Sequence, residues 1–179
     1  MKGQSFSLKP FPATVPLPSL ETTGSIARRA ATLTLRYALR GALTALAMPP
    51  PAAQPARRRG LWEATCFEFF LAVKNAPCYW EFNLSPGGHW NVYAFADYRR
   101  GMAEEMAFSS LPWRVQTTRD SLLLDLELDL AGIIRADQAV TAAVAAVLEL
   151  QNGEATYWAL AHPGPQPDFH RRDSFLLEL

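Results

Sequence analysis

The sequence predicts an all-β protein, built as a two-sheet antiparallel β-sandwich. Short segments in which apolar and polar residues alternate recur at spacings of roughly ten residues, and Gly-, Pro- and Asn-Gly-containing turns separate them. Alternation with a period of two is typical of strands that bury one face. A low charged fraction of 19% and a content of 14 prolines agree with a β-rich chain.

Size and charge limit the classes of partner. With 179 residues, 49% of them apolar, the chain can bury one core, so we expect a single domain over residues 1–179. Seventeen basic and 17 acidic side chains cancel, which argues against a nucleic-acid-binding surface. The longest apolar run, 142–148, is too short to span a membrane, and the N-terminus lacks the apolar core of an export signal. We therefore expect a cytoplasmic protein with no nucleic-acid or membrane partner.

The first part of the chain predicts three strands and a loop. Residues 4–8 are expected to form a short strand that ends at a proline-rich stretch. Residues 32–39 alternate Leu or Tyr with Thr, Arg and Ala, which predicts a second strand with one buried face. Residues 43–48 are expected to form a partner strand. The proline-rich segment 49–59 is expected to be a surface loop whose arginine run, 57–59, is simply solvated.

The middle of the chain predicts two hairpins and a buried strand. Residues 61–73 are apolar on both faces for part of their length. The segments 79–84 and 89–95 alternate on either side of a Ser-Pro-Gly-Gly turn, and 113–118 with 121–130 form a second hairpin. Several aromatic and apolar side chains of this region are assigned to the core: Phe67, Phe69, Tyr79, Phe82 and Val92.

Near the C-terminus one segment is ambiguous. The apolar residues of 138–150 fit a helical period and its alanines favour a helix, whereas its neighbours are strands, so periodicity alone leaves both assignments open. An Asn-Gly turn at 152–153 leads into a strand at 156–160. Residues 174–179 predict an edge strand with alternate apolar side chains on one face.

No motif of a known catalytic or metal-binding site is present. The sequence has no Gly-rich phosphate loop, no G-x-S-x-G and no H-E-x-x-H. Its histidines, His89, His162 and His170, form no short cluster, and Cys66 and Cys78 are expected to be reduced thiols. The sequence therefore predicts a protein that is not an enzyme and holds no metal.

Residues 61–102 are dense in aromatic side chains interleaved with Glu, Asn and Arg. Aromatic faces stack on sugar rings or flat ligands, while the polar groups make directed hydrogen bonds to hydroxyls. This block predicts a small-molecule site.

The same block carries a family resemblance, extended by the stretches 157–163 and 167–170. The matching residues are Trp62, Thr65, Cys66, Phe67, Glu68, Glu81, Phe82, Asn83, Leu84, Ser85, Pro86, Gly88, Trp90, Tyr93, Tyr98, Arg99, Gly101 and Met102. They resemble bacterial DOMON-like domains, relatives of the DOMON sugar- or haem-binding domains and of family 9 carbohydrate-binding modules. The resemblance implies a two-sheet antiparallel β-sandwich and favours a strand for 138–150.

The resemblance also implies a sugar site. Trp62, followed six residues later by Glu68, has the spacing of two sugar-contacting residues in family 9 modules, and Arg99 is similar to a third. The segment 168–170 lies in the part of the chain where those modules carry a second aromatic side chain, but it lacks the family's tryptophan, so the two-ring clamp departs from the family pattern. The expected ligand-binding residues are Trp62 and Phe169 for stacking, Glu68, Asn83 and Arg99 for hydrogen bonds, Trp90 and Tyr98 along the wall, and His170 at the rim.

We therefore expect a non-catalytic domain that binds a carbohydrate or sugar-containing metabolite without a cofactor. Three alternatives stay open. The first is a haem or redox module that uses a methionine such as Met102 with His170. The second is a protein-interaction module with no small ligand. The third is a hydrolase that acts through Glu68 and a second carboxylate such as Glu81.

Overall fold

The computed structural model describes residues 3–13 and 16–179, and β-strands dominate them. Three short 3-10 helices accompany the strands, at Leu43–Ala45, Leu61–Glu63 and Arg172–Ser174. The described residues form twelve strands: β1 (Gln4–Pro10), β2 (Leu20–Arg29), β3 (Thr32–Gly41), β4 (Cys66–Val73), β5 (Tyr79–Leu84), β6 (Trp90–Phe95), β7 (Ala103–Glu104), β8 (Trp113–Thr117), β9 (Ser121–Asp129), β10 (Val140–Glu149), β11 (Ala155–Ala159) and β12 (Leu177–Glu178). The all-β prediction is confirmed.

The strands pair along one continuous antiparallel path. Their order is β7-β6-β5-β4-β10-β11-β1-β2-β3-β9-β8, and β12 pairs with the end of β10. Strand β1 joins the two halves, because it pairs with β2 along most of its length and with β11 through Lys9 and Pro10. The predicted division into two separate sheets is therefore not confirmed.

The path curls back on itself. Four strands lie between β3 and β4 along the path, yet the Tyr37 hydroxyl of β3 donates to the backbone carbonyl of Glu68 on β4. The Tyr37 ring also lies 5.1 Å from the ring of Phe67. The curl encloses the main core, whose largest fully buried side chains include Tyr37, Phe67, Phe69, Phe82, Ile26, Leu33, Leu35 and Leu39.

Alternating strands behave as their patterns predict. In β9 the leucines at even positions are buried and the acidic residues between them are exposed. This burial removes the leucine side chains from water, and each fully buried side chain stabilises the folded state by about 1.5–3 kcal/mol. Both predicted hairpins form, as β5–β6 and β8–β9.

Strands β4 and β10 lie at the centre of their half of the sheet and are buried on both faces. Odd-numbered residues of β4 face the main core, and even-numbered ones face the opposite side. On that side lies a second group, called here the outer cluster: Phe70, Ala72, Tyr79, Tyr93, Phe95, Ala143, Ala145, Ala159 and Phe175. Because β10 is buried on both faces, its sequence shows no alternation of apolar and polar residues. The structure confirms the strand that the resemblance favours for residues 138–150. Phe67, Phe69, Tyr79, Phe82 and Val92 are all buried, as predicted.

Three segment predictions are corrected. Residues 43–48 form the 3-10 helix Leu43–Ala45 and one isolated bridge at Leu46, not a strand. Strand β2 was not predicted, because its sequence, LETTGSIARR, has few apolar residues and no clear alternation. Of the predicted edge strand at 174–179, only the two residues of β12 form a strand. Phe175 and Leu177 were predicted to share one face, but Phe175 packs in the outer cluster and Leu177 in the main core.

The arginine run is not merely solvated. The Arg57 guanidinium lies 4.5 Å above the Trp90 ring and donates to Asn91 Oδ1 at 2.7 Å. It also donates to the backbone carbonyls of Glu105 and Phe108, at 2.9 and 2.6 Å. Arg57 therefore fastens the 49–59 loop to β6 and to the chain that follows β7.

Both cysteines are free thiols, as expected. Within residues 3–13 and 16–179, no helix has the length and apolar content that crossing a membrane requires.

Candidate functional site

A cavity of about 350 Å³ opens beside the outer cluster, on the face of β4, β5, β6, β10 and β11 that points away from the main core. Natural small-molecule sites have volumes of about 300–1,000 Å³. The residues that line it are Trp62, Glu68, Glu81, Phe95, Arg99, Met102, Val147, Tyr157, Pro167, Asp168, Phe169 and His170.

The register of the strands brings two glutamates together on the cavity floor. Glu68 of β4 pairs with Asn83 of β5, and Glu81 precedes Asn83 by two residues, so its side chain lies on the same face of β5. Across the other edge of β4, Glu68 pairs with Ala145 of β10. Because an alanine side chain ends at Cβ, this neighbour leaves room above the Glu68 carboxyl group.

Burial controls the charge state of this pair. Glu68 is 3% exposed, and its Oε1 atom has no hydrogen-bond partner. Burial, reinforced by the charge of Glu81, raises the pKa of Glu68 well above its ordinary value. Burial also raises the pKa of Glu81, although Asn83, which donates to Glu81 Oε1 at 2.7 Å, and Arg99 oppose the shift.

Aromatic side chains form the walls. Trp62 lies on the 3-10 helix Leu61–Glu63, directly before β4, and its ring packs edge-on against Tyr93 at 5.7 Å. Since Trp62 is 37% exposed, part of its ring is left for a ligand. On the C-terminal side, the Tyr157 and Phe169 rings lie 6.2 Å apart.

A hydrogen-bonded cluster positions Arg99 at the cavity. Arg99 has a φ of 51°, in the left-handed region that costs a non-glycine residue energy, and its N–H donates to the Tyr79 hydroxyl at 3.2 Å. Its Nη2 donates to Asp168 Oδ1 at 2.9 Å, and the Tyr98 hydroxyl donates to the other oxygen of Asp168. Burial alone would raise the pKa of Asp168, but the Tyr98 and Arg99 hydrogen bonds outweigh it, so the pKa is lowered.

His170 is held as a neutral ring. Its Nδ1 lies 2.8 Å from the Tyr79 hydroxyl, whose oxygen also accepts the Arg99 N–H, and we assign the hydroxyl proton to the contact with Nδ1. The ring proton then lies on Nε2, which faces Glu81 Oε2 at 3.7 Å. Burial, followed by the charge of Arg99, lowers the pKa of His170 to about 4. At neutral pH the contact with Glu81 is therefore not an ion pair.

Five of the eight expected ligand-binding residues line this cavity: Trp62, Glu68, Arg99, Phe169 and His170. Two others support it from the side, because Asn83 donates to Glu81 and Tyr98 donates to Asp168.

Trp90 does not lie at the cavity, contrary to its expected place along the wall. It is 4% exposed and packs in the main core beneath Arg57. The reason is the alternation of β6, in which Trp90 and Val92 face the main core while Asn91, Tyr93 and Phe95 face the other way.

Several lining residues were not among the expected ligand contacts. Glu81 was considered only as a hydrolase carboxylate, although the pairing of β4 with β5 puts it beside Glu68. Tyr157 and Asp168 belong to stretches that the resemblance includes, and that signal could have identified them. Pro167 lies in the same stretch as Asp168, and Met102 is one of the matching residues. The sequence gives no such signal for the other two, Phe95 and Val147.

The residues at the cavity do not fit a haem with histidine and methionine ligands. Met102 and His170 both line it, but Nδ1 of His170 bonds to Tyr79 and Nε2 faces Glu81. The His170 ring is also packed edge-on against Phe95, at 5.1 Å. In the described part of the chain, no three His, Cys, Asp or Glu residues are grouped so that they could hold a metal ion.

No protein family and no curated protein matches the chain in sequence. In structure, it is similar to a proposed carbohydrate-binding protein from Bacteroides uniformis, with a TM-score of 0.69 and 16% identity over 96% of this chain and 84% of that one. It is also similar to a family 9 carbohydrate-binding module from Caldicellulosiruptor kristjanssonii in complex with cellotriose, with a TM-score of 0.53 and 6% identity over 88% of this chain and 72% of that one. At these identities the similarity shows the fold alone, which is like that of carbohydrate-binding modules.

Proposed function

We propose that this chain is a non-catalytic module that binds a carbohydrate in the 350 Å³ cavity. The observation that carries the proposal is the lining itself, in which the part-exposed Trp62 ring and Phe169 share one cavity with buried carboxyl groups and a guanidinium group. The two structural neighbours support it, since one is a proposed carbohydrate-binding protein and the other is in complex with cellotriose. A DOMON-like family membership and a cytoplasmic location belong to the same proposal.

The chemistry of the lining suits a sugar. The apolar face of a pyranose ring stacks on an indole or phenyl ring, and its hydroxyls need both donors and acceptors. Trp62 and Phe169 supply the rings, Arg99 supplies donors, and the carboxyl group of Glu68 supplies an acceptor. Asp168 orients Arg99 before the ligand arrives, which reduces the ordering cost of binding.

A binding screen with tryptophan variants tests the proposal. Thermal unfolding is measured with mono- and disaccharides, and a sugar at about a hundred times its Kd stabilises the protein by roughly 2.7 kcal/mol. The shift with the best sugar is expected to disappear in Trp62→Ala. It is expected to persist in Trp113→Ala, whose tryptophan lies on β8 at the other end of the sheet path. A shift that survives in Trp62→Ala, or no shift with any sugar, contradicts the proposal.

A second candidate function is glycoside hydrolysis. The observation that favours it is the pair of buried carboxyl groups, since a carboxyl with a raised pKa can protonate a leaving group while a second one acts as base. Turnover of chromogenic glycosides that disappears in Glu68→Gln would establish hydrolysis and overturn the non-catalytic proposal. Binding without turnover would remove this candidate.

A further inference from the structure

The two glutamates of the cavity floor lack a cationic partner among the described residues. Glu68 and Glu81 are 3% and 4% exposed, and the one hydrogen bond made to a carboxyl group of the pair comes from Asn83. Arg99, the one arginine or lysine in the lining, is already paired with Asp168. His170 faces Glu81 but is neutral at neutral pH.

Buried carboxyl groups without a cation are costly, and most proteins pair them internally. Here Glu68 lines the cavity and no described residue donates to its carboxyl group, so a ligand can supply the missing partner. A sugar hydroxyl could donate a hydrogen bond to it, but only an ammonium group supplies both donors and the opposite charge. An anionic sugar would meet two acids and an arginine whose charge is already neutralised.

The aromatic lining fits the same chemistry. A cation within about 6 Å of an aromatic ring face is attracted by the ring, most strongly by tryptophan. Trp62, Phe95, Tyr157 and Phe169 all line the cavity that contains the two glutamates.

We propose that the ligand of this cavity is a basic sugar, and that its protonated amine lies between Glu68 and Glu81. The inference rests on the proposed function, which it narrows from carbohydrates in general to amino sugars. It predicts discrimination against two analogues of the same ring, one in which a hydroxyl replaces the amine and one in which acetylation removes its charge.

Proton release provides an independent signature. In the free protein burial raises the pKa of Glu68 and so favours its protonated form, whereas an ammonium group beside the carboxyl lowers that pKa and favours release of the proton. Affinity therefore rises with pH through the pKa of Glu68 and falls again where the amine loses its own proton. The pH dependence also includes the other titratable groups that face Glu68 from the neighbouring elements. Strands β3 to β6 contribute Tyr37, Cys66, Tyr79, Glu81 and Tyr93. The remaining groups are Arg99 after β6, Tyr157 of β11, and Asp168 and His170 before β12.

Calorimetric titrations with D-glucosamine, D-glucose and N-acetyl-D-glucosamine test the inference at neutral pH. We expect glucosamine to bind at least about tenfold more tightly than either neutral sugar. We also expect its apparent binding heat to differ between buffers of different ionisation enthalpy, which reports proton release. Equal affinities for glucosamine and glucose, with both lost in Trp62→Ala, would contradict the inference and leave the carbohydrate proposal intact. Binding of none of the three sugars would contradict the inference, and the broader sugar screen then decides the proposed function.

Carboxyl variants locate the amine. In Glu68→Gln the ratio of glucosamine affinity to glucose affinity is expected to fall to about one, whatever the change in the two affinities, and Glu81→Gln should reduce the ratio. Glu127→Gln is the control, because Glu127 is an exposed carboxylate on β9. A preference that persists in both cavity variants, with folding verified by circular dichroism, would contradict the inference.

Discussion

At the scale of single residues, Glu68 contributes an acceptor to the cavity at a cost to the stability of the empty protein. Its Oε1 is buried without a partner, and the folded protein holds the Glu68 proton to a higher pH than the unfolded chain does. The free energy of unfolding therefore decreases as the pH rises from the unfolded pKa, about 4.3, to the folded one.

Replacing this carboxyl group by an amide should stabilise the protein. We expect Glu68→Gln to raise Tm at neutral pH by several degrees, since each kcal/mol shifts a domain of this size by about 2–4 °C. The gain should shrink towards pH 4, where the wild-type carboxyl is protonated in both states. Scanning calorimetry over this pH range measures both effects, and a variant less stable than wild type at neutral pH would contradict the assigned direction.

Tyr79 links Arg99 to His170 through one hydroxyl group. In Tyr79→Phe the Arg99 N–H and His170 Nδ1 both lose their partner, which costs about 1–3 kcal/mol for a buried polar group. We expect a lower midpoint in urea unfolding and weaker sugar binding, because the Arg99 backbone loses one of the contacts that position it, although its guanidinium keeps the bond to Asp168. Tyr157→Phe, which keeps the Tyr157 ring beside Phe169, is the comparison for a hydroxyl at the cavity. Equal stability of the wild type and Tyr79→Phe would contradict the role of this hydroxyl.

Spacing along the chain identified two of the residues that line the cavity, and their role in binding stays a prediction. Trp62 and Glu68 are close in sequence, and the resemblance identified them from their separation. Trp90 was misassigned because β6 is buried on both faces, so alternation does not tell which aromatic residue faces the cavity.

At the scale of elements, the loop 49–59 depends on one arginine. Arg57 donates to two backbone carbonyls and to Asn91, and it lies over Trp90. Its neighbour Arg58 is exposed, and within the described residues only its backbone carbonyl takes part in a hydrogen bond with a side chain, that of Asn91.

This difference predicts unequal effects of two neighbouring substitutions. Arg57→Ala should destabilise the protein by about 2–4 kcal/mol, because it removes a cation–π contact and leaves the backbone carbonyls of Glu105 and Phe108 without their side-chain donor. Arg58→Ala should change stability by less than about 0.5 kcal/mol, as is usual for surface positions. Urea unfolding of both variants measures the contrast. Similar losses in the two would indicate that the run acts only through its overall charge.

Elements that alternate were predicted from the sequence, and elements without alternation were not. Strands β3 and β9 each bury one face, so their period of two is visible. Strand β10 is buried on both faces, so its sequence pattern is equally compatible with a helix. Strand β2 carries polar residues through most of its length. For these two strands the decisive information is the neighbouring strand, which a local pattern does not contain.

At the scale of the whole molecule, the cavity is a product of topology. Its lining comes from segments as distant in sequence as Trp62 and His170, brought together by the pairing of β10 with β4 and by the hydrogen bonds of Asp168. The register that puts Glu81 beside Glu68 is a long-range property. For this reason the sequence indicated some members of the site but neither its shape nor its complete lining.

The central claim is that a sugar contacts Trp62 in this cavity, and the indole N–H signals in a two-dimensional NMR spectrum test it most directly. The chain has five tryptophans, and the Trp62 signal is assigned as the one missing in Trp62→Phe. On titration with D-glucosamine or D-glucose, we predict that the Trp62 signal moves while those of the buried Trp90 and Trp158, and of Trp113 on β8, stay in place. Saturable movement of the Trp113 signal with Trp62 unchanged, or no movement of any indole signal with either sugar, would contradict the account.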